Sequence, residues 1–136
     1  MKFVLSDGSD FEIPDTWWIE CEMEKFVRRA FAYETKPHSD HPKHPIVYLP
    51  ISLIKPSRRS AGVVLDFGGF DRKRLTRILR GFVAMDRIDP IQVKEKSHGS
   101  YEYEIYDGFH RFYASIAANF SELPVIVGNW GFFDSQ

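Results

Sequence analysis

The sequence predicts an α+β domain, a small mixed sheet with packed helices. Three observations carry that expectation. Leu75, Ile78, Leu79, Phe82 and Val83 recur at helical spacing behind Asp71. PIQVKEK and YEYEIYD alternate apolar with polar residues on either side of Ser97-His98-Gly99-Ser100. Finally, Tyr101 to Val127 runs from a strand through Asp-Gly into a helical pattern, then into a Pro-led apolar strand.

Taken in order, FVLSDGSDFEIP reads as two short strands around Ser6-Asp7-Gly8-Ser9. Asp15 or Thr16 then caps a helix expected over Trp17 to Tyr33, with Ile19, Met23, Phe26, Val27 and Ala30 as its apolar positions. Trp17 and Trp18 are adjacent, so they cannot both face one core. Residues 35–45, TKPHSDHPKHP, hold three prolines and read as a connector. Residues 1–45 thus form an N-terminal extension, and residues 46–136 form the main body. IVYLPISLI is expected as one strand bent at Pro50, and KPSRRSAGVVLDFGG as a loop. The helix behind Asp71, the hairpin, a second helix marked by Phe109, Phe112, Ile116, Ala117 and Phe120, and a last strand in LPVIVGNW complete the body.

The chain has 136 residues, 43% of them hydrophobic and 15% aromatic, which suits one domain with a real core. A net charge of −1 argues against a dedicated nucleic-acid binder. A single cysteine, Cys21, allows neither an intrachain disulfide nor a multi-cysteine zinc site. The first residues turn polar after MKFVL, unlike a signal peptide, and no apolar run is long enough to cross a membrane. The expectation is a cytoplasmic protein.

The junction Asp107-Gly108-Phe109-His110-Arg111 is the candidate site. Helix starts carry amides without intrahelical acceptors and a partial positive charge, which together attract anions such as phosphate. Gly108 would let the backbone approach a ligand closely. Arg111 can donate two parallel hydrogen bonds to a phosphate, and His110 can donate one or move a proton. The plainer reading is an ordinary Asp-Gly turn with Asp107 capping the helix and His110 and Arg111 on the surface.

YEYEIYDGFHRFYASIAANFSELPVIV resembles the ParB/sulfiredoxin-like superfamily (the ParB-like nuclease domain type). Its members show an apolar strand, then Asp-Gly-x-His-Arg or Gly-Glu-Arg-Arg, then an Ala-bearing helix and Pro-Val-x-Val. VYLPISLIKPSRR resembles the family's opening strand and following Arg, and FDRKRLTRILRGFVAMDRIDPIQVKE its helix leading to Pro-Ile-x-Val. The likeness covers about residues 46–127. It implies nucleotide-phosphate binding at this helix start, with Gly108, His110 and Arg111 as contacts and Arg58 or Arg59 as a second contact. Phe109 lies within the same ligand-binding stretch. The implied cofactor is a nucleoside tri- or diphosphate, with or without magnesium. The implied activity is ATP-dependent phosphoryl transfer or hydrolysis, for which His110 and Asp107 are the candidate acid/base residues. A fold does not fix a reaction. Sulfiredoxins carry a cysteine where this chain has Phe109, so sulfinic acid reduction is not expected. Partition proteins carry DNA-clamping and dimerisation regions after this domain, whereas nine residues follow Val127 here. The alternative function is a non-enzymatic, DNA-associated or mobile-element accessory module.

Three further groupings stand out. His38, His41 and His44 recur every third residue beside Asp40. A metal site is the sharper reading and a solvated linker the favoured one. Arg72, Lys73, Arg74, Arg77 and Arg80 line one helix face, favoured as a solvated face over a nucleic-acid contact. Trp17, Trp18, Trp130, Phe132 and Phe133 lie near the chain ends, where they pack the ends onto the body or form a homodimer surface.

Overall fold

The computed structural model describes residues 1–26, 44–57 and 66–130. Strands β1 (Lys2–Val4) and β2 (Asp10–Glu12) form the expected antiparallel hairpin. Helix α1 (Asp15–Glu20) follows, and is much shorter than the expected helix over Trp17 to Tyr33. Glu22 turns left-handed at φ 60, and a single 3-10 turn, Met23–Lys25, replaces the continuation. The reason is tertiary. In one helix Ile19 and Met23 would share a face, yet Ile19 is 58% exposed and Met23 3%. The break rotates Met23 into the core and sets Phe26 against Phe82 and Phe120. The expected cap is also corrected. Pro14 takes the cap position without a side-chain bond, and Asp15 instead accepts from the N-terminal ammonium at 2.7 Å.

The main sheet has five strands in the order β3-β7-β5-β6-β4: β3 (Ile46–Pro50), β4 (Ile54–Lys55), β5 (Ile91–His98), β6 (Tyr101–Asp107) and β7 (Glu122–Val127). β3/β7 and β5/β6 are antiparallel, while β7/β5 and β6/β4 are parallel. The single bent strand expected in IVYLPISLI is therefore two strands, separated by a 3-10 turn at Ile51–Leu53. They lie on opposite edges of the sheet. In a flat sheet four strand spacings would separate them by about 19 Å, whereas Pro50 to Ile54 reaches at most about 14 Å. The sheet must coil so that its edges approach at this end, where Ile51–Leu53 lie against β6.

Helices α2 (Arg72–Ala84) and α3 (Phe109–Ala117) pack together. Leu75, Leu79 and Phe82 are buried as the spacing predicts, with Ile78 and Val83 half-buried beside them. The core joins Phe112, Leu123, Val125, Ile91 and Val93 to Leu5, Phe11, Ile13 and Trp17 of the N-terminal segment. The Phe11 ring meets Tyr113 at 4.9 Å. Residues 1–26 thus share one core with the body. Trp17 is buried, Trp18 packs on Phe3, and Trp130 lies against Tyr106 and His44, so these three tie the ends down; Phe132 and Phe133 lie outside the described residues. No helix among the described residues is long and apolar enough to cross a membrane.

Candidate functional site

β6 ends at Asp107 and α3 starts at Phe109, with Gly108 between them in a left-handed conformation at φ 118. The expected reason for the glycine was close approach of a ligand. The structure gives another. A Cβ on Gly108 would lie 2.5 Å from Cγ2 of Ile91 and 2.7 Å from its Cβ. The missing side chain is what lets the β6–α3 junction sit on strand β5. Gly108 has no side chain with which to cap α3, and Asp107 does not cap it either. Instead an Asp107 carboxylate oxygen accepts from Arg111 at 3.3 Å, and the Asp107 side chain is 63% exposed.

His110 is half-buried, and its Nε2 accepts the backbone N–H of Asp71 at 2.9 Å. Asp71 is the N-cap of α2, its Oδ1 accepting from the Arg74 amide at 3.0 Å, so one imidazole joins the starts of two helices. The bond fixes the tautomer: Nε2 is an acceptor, so the proton resides on Nδ1. Burial pushes the imidazole below its ordinary value, and the charges of Arg74 and Arg111 push the same way against Asp71. A general base needs a free lone pair, and the amide of Asp71 occupies the one His110 has. Sequence reasoning gave His110 an acid/base role; the geometry leaves it a neutral Nδ1–H donor. The ring sits among Phe70 and Phe109, with centroids at 5.9 and 5.2 Å.

Arg111 is 18% exposed and already committed in part, donating to the carbonyl of Pro90 at 2.9 Å as well as to Asp107. Of the carboxylates Asp66, Asp71 and Asp107, the first two are engaged at the α2 start. Asp71 caps it, and Asp66 Oδ2 accepts from the Arg72 amide at 2.8 Å. Backbone donation from Arg74 holds the Asp71 carboxyl below the usual carboxylate range. Asp66 and Asp107 are both exposed, and Asp107 is the one directly before the α3 start.

Arg58 and Arg59 lie outside the described residues, as do His38, Asp40 and His41. Ser57, just before Arg58, is tied to α3 by Tyr113, whose hydroxyl donates to the Ser57 carbonyl at 2.8 Å. Asp66, where the description resumes, is tied to α2. Sequence reasoning missed Tyr113, Phe70 and the Pro90 carbonyl as parts of the site. Their partners are 21 to 56 residues away or on another element, and no local spacing signals them. Among the described residues no group of three His, Cys, Asp or Glu side chains could hold a metal ion. Cys21 is buried beyond the end of α1, where its thiol donates to the Thr76 carbonyl at 3.6 Å and burial pushes its pKa up.

No protein-family model and no curated protein sequence matches the chain.

Proposed function

We propose that the protein binds the phosphates of a nucleotide at the start of α3, as its resemblance to the ParB/sulfiredoxin-like superfamily implies. The observation that carries this reading is the meeting of two helix starts at His110. One start is capped by Asp71, and the other, at Gly108, has no side-chain cap. An anion at the uncapped start would complete the pattern. Arg111 supplies a guanidinium whose unused N–H groups can reach a phosphate oxygen, and His110 supplies a donor from Nδ1. Arg58 and Arg59 follow directly on Ser57, which Tyr113 holds to α3. Magnesium would bind chiefly through the phosphates and one or two carboxylates, the mode this ion favours. Asp107 is the exposed carboxylate nearest that place. Hydrolysis or phosphoryl transfer at this place would use Asp107 as the base, because the Nε2 lone pair of His110 is taken by the Asp71 amide.

The test is a thermal-shift titration with ATP, ADP, CTP, GTP and pyrophosphate, with and without magnesium, on the native chain, Arg111→Ala and Arg111→Lys. A ligand at free concentration L that binds only the folded state stabilises it by RT ln(1 + L/Kd), so Tm rises with the logarithm of ligand concentration above Kd. The native chain is expected to shift with at least one nucleotide. Arg111→Ala should weaken binding about 10- to 100-fold, the worth of a charge-assisted hydrogen bond of about 1.5–3 kcal/mol. Arg111→Lys should recover part of that. Each variant is read against its own unliganded Tm, because Arg111 also holds the Pro90 carbonyl. If millimolar ligands give no shift in the native chain, the reading is wrong.

A further inference from the structure

Between Arg72 and Arg80 the chain carries five cations and no carboxylate. Arg72 is engaged by Glu20 through two hydrogen bonds, at 3.2 and 2.5 Å. Lys73, Arg74, Arg77 and Arg80 are all exposed, and none forms an ion pair among the described residues. Lys73, Arg77 and Arg80 stand at i, i+4 and i+7, with Arg74 one turn before Arg77, so the four share one solvent-facing stripe.

The placement opposes the helix's own electrostatics. The positive end of the macrodipole favours carboxylates in the first turn, and this first turn has none. Like charges three and four residues apart repel one another as well. Of the nearby carboxylates, Asp66 and Asp71 are turned onto the helix's own amides, and Glu20 is bonded to Arg72 while its charge also acts on Arg80. A stripe that works against its helix in isolation is relieved by an external polyanion.

We infer that the exposed face of α2 binds a nucleic-acid backbone through Lys73, Arg74, Arg77 and Arg80. Lys73 to Arg80 rises about 10 Å along the helix. Duplex DNA carries one phosphate charge per about 1.7 Å of axis over its two strands, so four cations on that length have phosphates enough for about three to four contacts. The stripe holds only cationic side chains and no aromatic on which a base could stack, so the contact proposed is to the phosphate backbone. The inference does not depend on nucleotide binding at α3.

The experiment is fluorescence anisotropy of the intact protein with labelled 20-mers of duplex DNA, single-stranded DNA and RNA between 50 and 200 mM salt, on the order of the range where phosphate contacts show their salt dependence. The native chain is expected to bind with an affinity that falls steeply with salt. The slope of log K against log salt should be near −3 for about three to four contacts. Lys73→Gln/Arg77→Gln/Arg80→Gln should flatten that slope by about 2 to 3 and leave Tm equal or higher, because repulsion is removed. Lys73→Arg/Arg77→Lys/Arg80→Lys should keep binding. The preferred 20-mer identifies the type of nucleic acid. Absence of binding at the lowest salt, or unchanged binding in the glutamine variant, overturns the inference. Nucleic-acid binding without any nucleotide shift sinks the α3 reading alone, and the reverse result sinks this one alone.

Discussion

Gly108 is fixed by two constraints at once, a φ of 118 and an Ile91 side chain where a Cβ would go. Gly108→Ala is expected to lower the unfolding free energy by about 2–5 kcal/mol, the sum of left-handed strain and overpacking, measured by urea denaturation. A loss below about 1 kcal/mol would mean that the junction shifts freely off β5. His110 sets a pH dependence. Its folded pKa lies below the ordinary 6.5, so on acidification the unfolded chain takes up the proton first. Its contribution to stability is complete above that value and is lost as pH falls through the folded pKa. His110→Ala should therefore flatten the fall in Tm that begins just below pH 6.5, and should lower Tm at neutral pH by freeing the Asp71 amide. An unchanged acid limb in the variant would show that the imidazole is not held neutral. Asp-Gly-Phe-His-Arg was legible in the sequence as a helix start of unusual chemistry. The glycine's neighbour was not, because Ile91 arrives from another strand.

At the scale of elements, α2 ends with Met85 left-handed at φ 59. The amide of Asp86 donates to the Gly81 carbonyl at 2.8 Å and that of Met85 to Phe82 at 3.1 Å, the bonds of a Schellman ending. Met85 is 57% exposed, so its side chain contributes little packing. Met85→Gly should raise stability by roughly 1 kcal/mol by removing the left-handed penalty, read as a higher denaturant midpoint at constant m-value. A lower midpoint would mean that the methionine packs on something outside the described residues. α3 ends in the same way, with Asn119 at φ 65 and the Phe120 amide on the Ser115 carbonyl at 3.0 Å. The strongly periodic elements, α2, α3 and the β5–β6 hairpin, were legible because their apolar faces repeat over two turns or more. α1 was not: its pattern extends past Glu20, but burial of Met23 and Phe26 requires the chain to turn.

At the scale of the molecule, the N-terminal hairpin contributes Leu5, Phe11 and Ile13 to the core it shares with the body. Phe11 is 3% exposed and touches Phe70 and Tyr113, which frame the candidate site. Phe11→Ala should cost about 3–5 kcal/mol in a single cooperative transition. A loss under about 1 kcal/mol, or two transitions, would make the hairpin a separate appendage. Tyr113 thus links three things: the hairpin through Phe11, the site through Phe109 and the approach to Arg58 through Ser57. Support for the site therefore comes from the hairpin, the start of α2, the edge of β5 and the segment ending at Ser57.

The sequence by itself determined the α+β class, the hairpins, the two long helices with their buried stripes, and the junction where Gly108, His110 and Arg111 meet. Those follow from periodicity and turn chemistry, which act over a few residues. Only the tertiary structure decided that IVYLPISLI splits across opposite sheet edges, that Gly108 makes room for Ile91, and that His110 holds the Asp71 amide 39 residues away. Those depend on which distant groups share space once the sheet coils, and contacts of that kind leave no period in the chain.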